Sequence, residues 1–286
     1  MDVLSQARQA TMRFGPFTAV SGADLAVRRG EVVGLLGANG AGKTTLIRLL
    51  LGLLLPSDGG IWLFGEAPSI RTRRRVGYVP QTLGLYTGLT VAENWAFTAA
   101  AFHSAAPVAD ALSVWKHKLV GELPLGVQRQ VAFAVALSHQ PELLILDEPT
   151  SGVGPLAGAR LWEEIRRAAS AGAGVLVTTH NMEEAEQCDR LVVMAGGKAV
   201  ARGTTQEIIG DRKVAEVRCD DYNRAFALLD AGGLPVQAHG TTLRVDGDPE
   251  AAGRLLSGAG IDASIGIVSA NLEEAFVAIV ATMAAG

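Results

Sequence analysis

Gly37-Ala38-Asn39-Gly40-Ala41-Gly42-Lys43-Thr44-Thr45 decides the reading of this chain: a glycine, four residues, then Gly-Lys-Thr. Successive backbone N–H groups can wrap a phosphate only where side chains are absent, which asks for glycine at Gly37, Gly40 and Gly42. Lys43 then brings a positive charge to the β and γ phosphates, and the Thr44 hydroxyl is suited to ligate Mg2+. The flanks agree. Residues 31–36 have the apolar content of a buried strand entering the loop, and residues 45–54 that of an apolar helix leaving it, whose N-terminus favours an anion. The competing dinucleotide pattern, G-x-G-x-x-G, fails because Gly40 and Gly42 are followed by Thr45. The stretch predicts a nucleoside triphosphate site.

Working outward, 286 residues at 49% hydrophobic are enough for one large domain and a small one. A net charge of −4 gives no support for a nucleic-acid footprint, so no nucleic-acid partner is expected. The dense basic run Arg71, Arg73, Arg74 and Arg75 reads as a solvated turn or as a contact with anionic lipid or an acidic partner. Cys188 and Cys219 fit neither a metal spacing nor a disulfide framework, as expected of a reducing cytoplasm. Residues 1–14 lack the apolar core of a signal peptide. Residues 275–285, the most apolar run, fall short of the ~20 residues that cross a bilayer. Membrane association is therefore expected through a partner.

Residues 7–14, 17–20 and 23–27 read as short strands separated by Gly15-Pro16 and Ser21-Gly22, an antiparallel opening. Strand patterns recur at 76–79, 143–146, 175–179 and 191–194 between helical patterns, which predicts a mostly parallel sheet. Residues 91–115 are alanine-rich and read as an inserted α subdomain. Composition shifts after Gly210-Asp211-Arg212, giving a division into 1–212 and 213–286. From Val214 onward the patterns run strand, helix (223–231), strand (236–239), strand (242–245), helix (249–259), strand (263–268) and a last helix. That βαββαβ order is the ferredoxin-like arrangement. Leu272, Phe276, Ile279, Val280 and Met283 share one face of the last helix, to pack on its own domain or in a partner's groove.

Leu143-Leu144-Ile145-Leu146-Asp147-Glu148-Pro149 puts two carboxylates at the C-terminal edge of a buried strand, where ligands bind in such sheets. Asp147 is suited to hold Mg2+, and Glu148 to accept the proton of an attacking water. Alone, an Asp-Glu pair also fits a strand-end turn; beside the phosphate loop it points to hydrolysis.

With these motifs the chain resembles the ATP-binding cassette family, in one continuous order over residues 5–212. Tyr78-Val79-Pro80-Gln81 is similar to the family's glutamine loop, which implies that Gln81 touches Mg2+ or the attacking water and senses the transport partner. Val177-Thr178-Thr179-His180 is similar to the switch histidine, which implies that His180 contacts the γ-phosphate. Phe14 matches the aromatic that stacks on adenine. Two stretches depart from the family. Leu123-Pro124-Leu125-Gly126 stands where relatives read Leu-Ser-Gly-Gly and donate to the γ-phosphate held by the opposite subunit. Pro124 has neither a hydroxyl nor an N–H, and Leu125 adds bulk, while Gly126 and the start of the following helix remain available for an anion. Gly154 stands where relatives carry an aspartate that couples the two nucleotide sites. The Leu-Pro-Leu-Gly variant and the tail Ser269-Ala270-Asn271-Leu272-Glu273-Glu274-Ala275-Phe276 resemble bacterial drug-efflux cassettes.

The resemblance implies an α/β fold: a P-loop NTPase core of ATP-binding cassette type, with an antiparallel β subdomain, a shortened α-helical subdomain between Asn94 and Leu123, and a small C-terminal α+β ferredoxin-like domain. It implies an ATP-binding and hydrolysing exporter subunit at the cytoplasmic face of the membrane. ATP-driven dimerisation with a second cassette, the same chain or another, would power a separate integral membrane permease for a drug or small molecule. ATP would contact Phe14, the loop from Gly37 to Thr45 and, across the dimer, Leu123 to Gly126. Thr44, Gln81 and Asp147 would hold Mg2+, with Glu148, Gln81 and His180 catalytic. Because the departures fall on the signature and on Gly154, a defect would appear at the site across the dimer. A soluble cassette ATPase acting on ribosomes or DNA is the alternative; those usually carry tandem cassettes, long coiled coils or strongly basic surfaces. A weakly hydrolysing, nucleotide-gated regulatory subunit is another, made credible by the altered signature and opposed by Lys43 and Glu148.

Overall fold

The protein is described by a computed structural model covering residues 2–104 and 108–284. It divides into two compact units, Met1–Thr205 and Gln206–Gly286. The division precedes the 212/213 boundary of the composition shift, because Arg212 is tied into the second unit. Its carbonyl accepts from the Ala270 N–H at 3.0 Å, and its guanidinium lies 3.8 Å from Asp246. Among the described residues, no helix is long and apolar enough to cross a membrane.

The first unit opens with β1 (Val3–Phe14) and β2 (Phe17–Arg28), a hairpin that sets Phe14 opposite Phe17. The two short strands expected over 17–20 and 23–27 are one. Gly22 absorbs a bulge at φ +59° and its N–H is held by Thr11 Oγ1 at 2.9 Å, so the register shifts without ending the ladder. β3 (Val32–Leu36) leads through the glycine loop into α1 (Lys43–Leu50). That helix stops short of the expected residue 54, with Gly52 turned to φ +65° just beyond it. β4 (Asp58–Leu63) pairs with the free edge of β1; its Asp58-Gly59-Gly60 start hides it as a turn in the sequence.

Further along come α2 (Ile70–Arg73), β5 (Val76–Val79), α3 (Val91–Phe102), α4 (Leu125–Leu137), β6 (Leu143–Asp147), α5 (Pro155–Ser170), β7 (Gly174–Thr179), α6 (Met182–Ala185), β8 (Arg190–Ala195) and β9 (Lys198–Gly203). They build a six-stranded sheet in the order β5-β6-β7-β3-β8-β9, parallel except for β9. Every residue of β3, β6 and β7 is buried, which is why these strands read as unbroken apolar runs rather than alternating ones. Fully buried Leu35, Leu46, Ile47, Leu143 and Ile145 lie in this core, each stabilising by roughly 1.5–3 kcal/mol. The helix expected over 91–115 is interrupted. α3 ends where His103 adopts φ +54°, Asp110–Trp115 forms a 3-10 turn, and residues 105–107 lie outside the described residues. Val91, Trp95, Leu112, Val120, Leu123 and Val131 form a separate small core for this insert.

The basic run is largely occupied within the chain. Ser69 caps α2 in a reciprocal box with Thr72, Arg71 pairs with Glu66, and Arg73 donates to the Leu51 carbonyl at 3.3 Å. Arg75 lies over the Phe64 ring at 3.7 Å and pairs with Glu142 at 2.6 Å.

α7 (Thr205–Ile209) starts at the last residue of the first unit, and the second unit continues through β10 (Lys213–Cys219), α8 (Tyr222–Ala231), β11 (Val236–His239), β12 (Thr242–Val245), α9 (Pro249–Gly258), β13 (Ala263–Ser269) and α10 (Leu272–Ala284). Its sheet is antiparallel throughout, in the order β11-β12-β10-β13. Val217, Leu229, Leu243, Val245 and Leu256 form its core. α10 is anchored at its start, where Leu272 and Ala275 are fully buried and Glu274 pairs with Arg244. Its apolar face is then progressively uncovered: Phe276, Ile279 and Val280 are half-buried and Met283 is exposed. Both cysteines are free thiols. Burial pushes Cys188 up to about 12, and Cys219 is half-buried.

Candidate functional site

The phosphate loop hangs between β3 and α1, and each of its glycines is required for a different reason. A Cβ on Gly37 would lie 2.5 Å from the Met194 carbonyl oxygen. One on Gly42 would lie 2.5 Å from the Ala19 carbonyl oxygen, and that residue also holds φ +99°. Gly40 has open space but sits at φ +81°. Lys43, the first residue of α1, folds back under this loop. Its Nζ donates to the Gly37 carbonyl at 2.7 Å and the Ala38 carbonyl at 3.2 Å, and lies 3.7 Å from Glu148 Oε1. The ammonium and that carboxylate are nearly buried, at 6% and 9% side-chain exposure.

Parallel pairing of β6 with β7 sets Asp147 beside Thr178. The Thr178 hydroxyl donates to Asp147 Oδ1 at 2.6 Å and accepts from the Glu148 N–H at 2.9 Å. Thr44 Oγ1 donates to Asp147 Oδ2 at 3.0 Å, so both carboxylate oxygens are held by hydroxyls. These hard oxygens, next to a glycine-rich loop, match the donors that a Mg2+–triphosphate takes. Asp147 and burial together raise Tyr78, with burial the larger cause.

Glu148 leaves the strand at φ +49°, a left-handed conformation uncommon outside glycine. That turn aims its carboxylate into the site. Gln81 Nε2 donates to Oε2 at 3.1 Å, and His180 Nδ1 lies 3.4 Å from Oε1, the oxygen that also faces Lys43. Gln81 and His180 are exposed at the mouth, whereas Glu148 is 8% exposed. A cleft of about 190 Å3 adjoins them, lined by Glu148, Thr150, Thr179, His180 and Glu184 among others. Glu184 accepts from both Thr150 and Thr179, the latter at 2.7 Å.

Lys43, Thr44, Gln81, Asp147, Glu148 and His180 thus form one constellation, in which hydrogen bonds join Thr44 to Asp147 and Gln81 to Glu148, and Lys43 and His180 lie 3.7 and 3.4 Å from the Glu148 carboxylate. The other expected residues lie apart from it in bonding. Phe14 is an exposed ring at the tip of the first hairpin. Leu123 places its side chain in the core of the helical insert, at 5% exposure. Its stretch therefore presents Pro124, Leu125 and Gly126. Pro124 is the N-cap of α4, and Gly154 the N-cap of α5; neither helix start has a side-chain cap.

Three participants escape a motif reading. Thr178 lies within the quoted Thr-Thr-His, but its role depends on cross-strand register. Glu184 reaches the cleft only through the fold. Arg129 could have been noticed as an arginine on the apolar helix face of Ala132, Phe133 and Ala136. It is buried, with Nη1 donating to the Glu148 carbonyl at 3.1 Å and Nη2 to the Ser151 carbonyl at 2.7 Å. Burial lowers its pKa, opposed by the charge of Glu148.

Comparison with known proteins identifies the family. The family model described as "ABC transporter" matches residues 20–151, and one described as "AAA domain, putative AbiEii toxin, Type IV TA system" matches residues 120–186. A probable multidrug ABC transporter ATP-binding protein of Escherichia coli is 38% identical over 221 residues, 72% of this chain and 38% of that protein. The Nod factor export ATP-binding protein I of Burkholderia lata is 41% identical over 227 residues, 74% of this chain and 73% of that protein. The chain thus spans well under half of the first relative and about three quarters of the second. A solved ATP-binding subunit of an ABC transporter superposes with a TM-score of 0.65 at 30% identity, over 72% of this chain and 91% of that one. The Clostridium perfringens cbiO1, part of the ABC transporter complex cbiONQ, superposes at 0.63 with 26% identity, over 73% and 91%. With 41% identity sustained over most of the Burkholderia relative, and a fold shared with solved cassettes, this chain belongs to the ATP-binding cassette family of transporter ATP-binding proteins.

Proposed function

We propose that the chain is the ATP-hydrolysing subunit of an exporter for a drug or small molecule. It would act at the cytoplasmic face of the membrane and drive a separate integral membrane permease through dimerisation with a second cassette. The observation that carries this reading is the Glu148 carboxylate, which meets Lys43, Gln81 and His180 at the end of the strand next to the phosphate loop. The multidrug and Nod-factor-export relatives support the direction of transport. Phe14 would stack on adenine, and the amides from Gly37 to Thr45 would bind the phosphates, with Lys43 neutralising them. Thr44, Gln81 and Asp147 would hold Mg2+, which when bound supplies positive charge to the phosphate oxygens. Glu148 would take the proton of the attacking water while Gln81 and His180 orient it. Pro124, Leu125 and Gly126 would face the nucleotide of the second cassette.

In this reading residues 1–212 are the nucleotide-binding domain, with an antiparallel β subdomain and a shortened helical one. Residues 213–286 are an accessory ferredoxin-like domain, which the βαββαβ order and the β11-β12-β10-β13 sheet support. A weakly hydrolysing regulatory role is the second reading; the uncapped, proline-containing start of α4 favours it. Steady-state Mg-ATPase turnover of the purified chain against Glu148→Gln separates the two. Turnover well above the variant is expected; bound ATP with no turnover, alone or beside an intact second cassette, would leave the regulatory reading. Recovery with RNA rather than with membranes would replace both by the soluble cassette alternative.

A further inference from the structure

We propose that Arg129 is a positioning residue for Glu148, fastening the turn that carries the base to the first turns of α4. The inference rests on Glu148 being the base. Glu148 stands at φ +49°, and such a turn persists only where its surroundings over-determine it. Its N–H is held from β7 by Thr178 and its carbonyl from α4 by Arg129. The second arm of the guanidinium takes the Ser151 carbonyl, so one planar fork spans the whole turn. Both Nη arms of Arg129 end on carbonyls and neither on a carboxylate. A buried arginine used in this way fixes backbone position.

Packing in the same place strengthens the link. A Cβ on Gly152 would lie 3.1 Å from Leu125 Cδ2, and one on Gly126 would lie 3.3 Å from Ala157 Cβ. Leu125, the bulky residue of the altered signature, therefore lies over the turn that follows Glu148 in its own chain. A displacement of the Pro124–Gly126 segment must then travel through Leu125 and Arg129 to the base. Lysine could not reproduce this, since a single ammonium does not match a planar fork that spans two carbonyls.

The test compares Arg129→Met, Arg129→Lys and Glu148→Gln in the full chain. Without nucleotide, amide hydrogen exchange is read over residues 148–153, where the Ser151 and Val153 N–H groups bond the Glu148 and Thr150 carbonyls. With Mg-ATP, kcat and KM are read separately. Arg129→Met is expected to speed exchange in that turn while β6 and β7 stay protected. It should lower kcat by about tenfold or more, with KM within about twofold, as a misplaced base would. Arg129→Lys should recover part of both. If the methionine variant does not fold, the lysine variant decides: slower turnover and a loosened turn at an unchanged thermal midpoint support the role. Wild-type exchange in 148–153 in a folded variant, or loosening spread evenly over the unit, overturns it. Turnover surviving in Glu148→Gln overturns the base assignment itself. Turnover lost there but intact in both Arg129 variants overturns only the positioning role.

Discussion

Strand β6 carries a glutamate next to each of its ends, and the two are built for opposite purposes. Glu142, just before the strand, is a third exposed and is gripped by Arg29 and Arg75, each at 2.6 Å. Hydrogen bonds from Arg75 and Arg29 hold its carboxyl down at about 2. Glu148, just after the strand, is nearly buried, faces Lys43 at 3.7 Å, and sits on a left-handed turn with Gln81 and His180 around it. The first carboxylate is fully spoken for and acts as a clasp between the start of β6, the β2–β3 connection and the start of β5. The second has the Lys43 ammonium, Gln81 and His180 around it and borders an open cleft. In the proposed reading, reactivity comes from what the fold leaves open around the carboxylate.

The sharpest way to break this comparison is to neutralise the two in turn. Glu148→Gln is expected to lower steady-state turnover by about 10²- to 10⁴-fold, the usual reach of a general base, with ATP binding retained in a filter or fluorescence assay. Glu142→Gln should leave turnover unchanged. Equal losses in the two variants would mean that the exit glutamate has no special role.

Next in size is Gly42→Ala. The left-handed backbone and the Ala19 carbonyl leave no room for a methyl, so a cost of about 2 kcal/mol or more is expected, with loss of ATP affinity. An unchanged thermal midpoint would show the loop to be softer than this geometry implies.

The entry end gives a smaller, pH-dependent effect. Because Glu142 titrates lower folded than unfolded, its contribution is present at neutral pH, above the unfolded value. It is lost as pH falls from the ordinary carboxylate range, roughly 4.3, to about 2. The difference in urea midpoint between wild type and Glu142→Gln should therefore shrink over that interval and vanish only below its lower limit. A difference at pH 2 as large as that at neutral pH would assign the effect to packing.

The exit end of β6 was legible because its chemistry is contiguous: four apolar residues, then Asp147 and Glu148, beside a loop whose glycine spacing has few alternatives. The succession of strands and helices along the second unit was legible from its own sequence patterns, which are separated by turn residues. The rest depends on partners distant in sequence. β4 hides behind Asp58-Gly59-Gly60, and β9 is a partly exposed edge with no apolar run. The Ser21-Gly22 bulge looks like a break because only the pairing with β1 keeps the strand continuous. Thr178 and Arg129 reach Glu148 by cross-strand register and helix packing, 30 and 19 residues away, which no local spacing encodes. Leu123 is a motif position whose side chain also serves the insert's core, a second role that no local spacing encodes.

The smallest expected effect lies where the chain beyond Glu148 enters α5. Gly154 is the N-cap there, with φ −70°, ψ 162° and no side-chain cap, and a Cβ at this position would meet nothing within 4 Å. Any residue adopts that backbone, so Gly154→Asp should fold without strain and supply both a cap and a negative charge at the helix start. Replacing a glycine cap is worth a few tenths of a kcal/mol, and the helix dipole adds up to about 1 kcal/mol. The thermal midpoint should therefore rise by about 1–3 °C, with little change in turnover of the isolated chain. A fall in the midpoint would mean that the turn from Glu148 to Gly154 is held in a form that an added carboxylate disturbs, with Glu148 itself the nearby negative charge. The exit end would then be tuned for low negative charge as well as for shape, which sharpens its contrast with the doubly paired glutamate at the other end.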